Sequence, residues 1–144
     1  MIIQYRAKAL GSNDWVYGVP VKFDDGDAIL VTTRPGSRDL IATLVDANTI
    51  SMATPYVDIN GDPIYEGDIV RRNLTNQEDI IIYEDGYFTT QYNNWSLEWI
   101  FTNRDESLEI VGPKEDHPNK VMALELIEMI SNSKEEDDEF SSEG

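Results

Sequence analysis

Short apolar runs cut by turn residues fill most of this chain, and a long stretch of helix formers comes only near its C-terminal end. Residues 2–10 open with a β-rich run that sets Arg6 and Lys8 on one face of a strand. A turn cluster, Gly11-Ser12-Asn13-Asp14, leads into Trp15 to Val19. Asp24-Asp25-Gly26 then separates Val21-Lys22-Phe23 from Ala28 to Val31, which predicts a hairpin. Residues 32–39 read as a loop, Leu40 to Val45 as a strand and Thr49 to Met52 as a short extended piece. Ile69 to Arg72 and Ile80 to Tyr83 are further strands, and Glu84-Asp85-Gly86 reverses the chain into Tyr87 to Thr90. Trp95, Leu97, Trp99 and Phe101 alternate at period two, which predicts a strand, with a short helix as the alternative. Leu108 to Gly112 makes the last strand, and Pro118 opens a helix that runs to Ser131.

The chain is organised around Asp58 to Val70, where two turns and a strand start fall in quick succession. Asn60-Gly61 supplies the positive-φ pair of a tight reversal. Gly67-Asp68 supplies a second kink, with Asp68 placed to hydrogen-bond its own backbone. These patterns predict a mainly β fold: a twisted, partly closed sheet or small barrel of short antiparallel strands, with one C-terminal α-helix. Residues 1–131 are expected to form a single domain, followed by an acidic, Ser-rich, disordered tail at 132–144.

Composition narrows the class. Of 144 residues, 40% are hydrophobic and 10% aromatic, which is too apolar for a disordered chain. No apolar run is long enough to span a bilayer, and no signal-peptide core follows the N-terminus, so the host cytoplasm is the expected compartment. The 28 acids and 11 bases give a net charge of −17. Residues 134–144 contribute −5, so the body itself carries −12. Direct nucleic-acid binding needs a positive footprint, and Arg71-Arg72 is the one adjacent basic pair. Strand alternation sends those two side chains to opposite faces, which reads as a solvated pair.

Candidate chemistry is sparse. Cysteine is absent and His117 is the single histidine, so Cys–His pairs and His-based metal clusters are ruled out. Asp58-x-Asn60-x-Asp62 begins like a calcium loop, but Pro63 and Ile69 stand where its Gly and bidentate Glu belong. Turn chemistry explains those residues, and neither metal nor cofactor is expected. No phosphate loop, dinucleotide fingerprint or nucleophile elbow occurs. Residues 83–101 hold half of the chain's aromatics, and within that run Tyr92, Trp95 and Trp99 are candidates for a protein-binding patch if they are not core. In the expected helix only Glu125 and Glu128 interrupt an otherwise apolar run from Val121 to Ile130. That is more apolar surface than one sheet face covers. Leu126 and Ile130 are therefore candidates for a homo-oligomer interface.

The order of these blocks resembles the YopX family. Tyr5-Arg6-Ala7, Trp15-Val16-Tyr17-Gly18, Val45-Asp46 with Thr49-Ile50, Asp58-Ile59-Asn60-Gly61 and Ile64-Tyr65-Glu66-Gly67-Asp68-Ile69-Val70 carry the resemblance, as does Leu108 to Gly112 before Pro118. It departs at Gly112-Pro113 and His117-Pro118, where the family tends to carry Gly-Asn and Asn-Pro. The resemblance implies a small, mainly β protein of bacteriophages and prophages, with no catalytic residue to carry over. The expected function is a non-enzymatic accessory role through protein–protein contacts. One alternative is an acidic decoy for a host nucleic-acid-binding defence or replication protein. Another is a small hydrolase or nuclease using carboxylates and a divalent metal.

Overall fold

The computed structural model describes residues 4–103 and 105–142, and side chains up to residue 133. Ten strands and two α-helices follow one another along a mainly β chain. Contacts divide it into two compact units: residues 1–57 with 63–66, and residues 58–62 with 67–144. The sequence reading expects one domain over 1–131.

The first unit is a six-stranded antiparallel sheet. Its strands are β1 (Tyr5–Lys8), β2 (Trp15–Lys22), β3 (Ala28–Thr33), β4 (Leu40–Val45), β5 (Ser51–Val57) and β6 (Pro63–Tyr65). They lie in the order β4-β3-β2-β1-β5-β6. The sheet does not close into the small barrel offered as one outcome. It does curl: Ala9, just past β1, bridges Val45 at the end of β4, and the Asp46 N–H donates to the Lys8 carbonyl at 2.8 Å. Inside the curl Ala7, Ala28, Leu30 and Val45 form a small core, with Tyr5, Val16 and Ile50 packed against it. Thr49 seals one end by accepting the Lys8 N–H at 2.8 Å.

β2 changes partners midway. Trp15 to Gly18 pair with β1, and Val19 to Lys22 pair with β3. Pro20 falls in the second half, which among the described residues is paired on one side only, so its missing N–H is tolerated. The sequence reading breaks the strand at Gly18-Val19-Pro20. The pairing carries it through, because Gly18 lets the β3 backbone approach: a Cβ there would overlap the Val31 carbonyl oxygen.

The second unit holds a four-stranded antiparallel sheet in the order β10-β7-β8-β9, from β7 (Asp68–Arg72), β8 (Glu78–Glu84), β9 (Tyr87–Thr90) and β10 (Leu108–Pro113). Neighbours in sequence point to opposite faces of a strand, yet Ile69 and Val70, and Ile80 and Ile81, are all buried. Both faces are therefore covered at this point. Helix α1 (Leu97–Thr102) lies where period two predicts a strand. Ser96 decides the outcome: its Oγ accepts the Trp99 N–H, an N-cap, and Leu97 and Ile100 at helical spacing are fully buried. Helix α2 spans Pro118–Ser142, past Ser131, where the sequence reading places the helix end. The expected disorder of 132–144 bears largely on residues whose side chains lie outside the described set.

Candidate functional site

The turn at residues 58–62 is built on Asp58. Its Oδ1 accepts the N–H groups of Asn60 and Asp62, both at 2.9 Å, and its Oδ2 accepts the Ile110 N–H at 3.1 Å. A carboxylate that takes three backbone donors is committed to the fold. That is the chemistry behind the calcium-like spacing. Gly61 has φ +84° and Gly67 φ +87°, while Asn60 does not take positive φ, so the expected pair reduces to the glycine. Asp68 is fully buried at the start of β7. The kink before it is held by the Gly67 N–H, which donates to the Ile81 carbonyl, and by the Gly67 carbonyl, which accepts from Lys114.

Arg71 and Arg72 diverge as strand alternation requires, but neither is simply solvated. Arg71 donates to Glu78 Oε2 through Nε at 3.1 Å and Nη2 at 2.7 Å. Lys120 of α2 reaches the same carboxylate, at 3.1 Å to Oε1. Burial pushes the Glu78 pKa up, but hydrogen bonds and charge from Arg71 and Lys120 outweigh it and hold the group below the ordinary carboxylate value. On the other face, Arg72 donates to Glu106 Oε2 at 2.5 Å, and the Glu106 side chain is fully buried. Burial again raises the Glu106 pKa, and the Arg72 hydrogen bond and charge bring it down further than burial lifts it.

Trp95 and Trp99 meet on that same guanidinium, with ring centroids 5.1 and 5.9 Å from Arg72 Cζ. The backbone of Trp95 is fixed by two β9 threonines: Thr90 Oγ1 accepts its N–H and Thr89 Oγ1 donates to its carbonyl. Trp99 sits on the outer side of α1, 55% exposed. The aromatic run therefore does have a basic partner. It comes from β7, more than twenty residues earlier, so a search of the flanking sequence misses it. The first unit repeats the device, with Arg6 between Trp15 at 4.7 Å and Tyr65 at 4.6 Å.

Tyr92 goes elsewhere. Buried Asp79 accepts the N–H groups of Ile80, Tyr92 and Asn93 and the Asn93 side-chain amide, and so clamps the segment after β9 onto β8. This turns the Tyr92 ring towards α2, where its hydroxyl is buried with no hydrogen-bond partner. Burial raises the Tyr92 pKa first, and the charges of Glu125, Asp79 and Glu128 add to the rise. A cavity of about 450 Å³ lies there, between Tyr92, Glu78 and Asn93 and the inner side of α2 at Lys120, Leu124 and Glu128.

The outer side of α2 is apolar and open. Lys120, Val121, Leu124 and Glu128 recur at helical spacing and are half-buried. Met122, Leu126, Ile127, Met129 and Ile130 are each at least half exposed. The five sequence candidates thus separate into three places: Trp95 and Trp99 on Arg72, Tyr92 in the cavity, and Leu126 and Ile130 on the open face of α2.

Among the described residues no helix is long and apolar enough to cross a membrane, and no group of three or more His, Cys, Asp or Glu is arranged to hold a metal ion. No curated protein matches the chain. A crystal structure of protein EF1440 from Enterococcus faecalis is similar in fold, with a TM-score of 0.52 at 20% identity, over 82% of this chain and 96% of that one. The family model described as YopX protein matches residues 4–113, more than half of the sequence and including every strand. This chain belongs to the YopX family.

Proposed function

We propose that the protein is a non-enzymatic phage or prophage accessory protein of the host cytoplasm that works through protein–protein contacts, and that the contact element is the outer face of α2. The observation that carries this reading is the row Met122, Leu126, Met129 and Ile130, apolar, at helical spacing and exposed. The partner it fits first is a second copy. Glu135 to Glu139 give the later turns of α2 five consecutive acids, while Lys114 and Lys120 lie near its start. Parallel pairing would set two acidic runs side by side, and antiparallel pairing brings opposite charge and opposed helix dipoles together. Completing the burial of five such side chains on each copy yields about 1 kcal/mol apiece. Association costs roughly 4–15 kcal/mol, so the dimer is weak. Light scattering at tens-of-micromolar protein tests this: the wild type should weigh more than a monomer, and Leu126→Asp or Ile130→Asp should return it to one. Monomeric wild type under those conditions would contradict the reading.

A second reading, the acidic decoy, is favoured by the way Arg71, Arg72 and Lys120 are each held against a carboxylate. That leaves the charge of −17 to face outward. It calls for binding to a basic host protein that weakens steeply with salt.

A further inference from the structure

We propose that the cavity under α2 is a receptor for a guanidinium or alkylammonium group carried on an apolar stem. The wall supplied by α2 is apolar, from Ala123, Leu124 and Ile127, and suits an aliphatic stem. At its polar end Tyr92 Oη is buried and makes no hydrogen bond, which is costly unless a ligand group meets it. Glu128 also lines the cavity, and among the described residues it has no ion-pair partner.

The charges around the site choose the sign of the ligand. Lys120 lines the cavity but is neutralised by Glu78, which also holds Arg71. Glu128, Glu125 and Asp79 remain, and all three act on Tyr92 as negative charges. An anion would enter against those carboxylates. A wholly apolar ligand would leave the phenol oxygen unmet. A cationic N–H donor satisfies both: it donates to Tyr92 Oη and pairs with Glu128, while its stem covers Leu124 and Ile127. The source is either the arginine side chain of a protein or a free aliphatic cation, since both present the same group.

The test is titration of the full chain by calorimetry with agmatine, and separately with a blocked Gly-Arg-Gly peptide. Saturable binding of agmatine alone assigns a free cation, and binding of both assigns an arginine side chain. Glu128→Gln should weaken binding about tenfold, and Tyr92→Phe should weaken it as well without altering the thermal melt. Leu126→Asp, on the opposite side of α2, should bind agmatine as the wild type does, which separates this site from self-association. The proposal is overturned if neither probe saturates, if Glu128→Gln binds as tightly as wild type, or if inorganic phosphate saturates the site instead.

Discussion

At Gly18 the constraint is space, since a side chain there would occupy the position of the Val31 carbonyl oxygen. The obstacle is backbone in a paired strand, so the sheet itself would have to part. Gly18→Ala should cost about 1–3 kcal/mol, read as a lower urea midpoint at unchanged slope. The Arg72–Glu106 pair sets a second constraint, because it is buried and flanked by indoles. Removing one partner leaves the other charge without compensation, and Glu106→Gln should cost about 3 kcal/mol at neutral pH. The folded-state pKa values of Glu106 and Glu78 lie below the ordinary 4.5. Each carboxylate therefore contributes stability that is present above that value and lost as pH falls through the folded pKa. Urea midpoints at about pH 7 and about pH 3.5 should fall for the wild type and fall less for Glu106→Gln. Equal falls in both proteins would remove this pair from the account.

The elements show where local sequence decides and where tertiary contact does. Asp-Gly reversals at Asp25-Gly26 and Asp85-Gly86 sit in the β2–β3 and β8–β9 connections, where turn chemistry alone predicts hairpins. Around Trp95 to Phe101 two periods compete, and the apolar alternation says strand. The serine before it says helix, and with Leu97 and Ile100 both buried the helix prevails. Ser96→Ala should therefore cost about 1 kcal/mol, seen as a lower melting temperature, and no change there would show the cap to be incidental. The strand Pro63–Tyr65 is hidden for a different reason: its pairing partner is β5, and the register shifts between Ala53 and Val57. The candidate site was legible only as a set of residue types. Arg72 reaches Trp95 and Trp99 through sheet pairing, and Tyr92 reaches α2 because Asp79 takes its backbone N–H. Neither link leaves a spacing that sequence shows.

For the whole molecule, the uneven use of α2 is the decisive feature. One side, at Lys120, Val121, Leu124 and Glu128, is half-buried, and the other carries five exposed apolar side chains. The apolar run from Val121 to Ile130 had signalled this excess in sequence, though without showing which residues face outward. Leu126 and Ile130 both do. The central claim is that this face is closed by a second copy. Sedimentation velocity of the wild-type chain, over a concentration series reaching tens of micromolar, tests it most directly. The account predicts a sedimentation coefficient that rises with concentration towards that of a dimer, and no rise for Leu126→Asp at an unchanged thermal melt. A wild-type coefficient that stays monomeric across the series would contradict it.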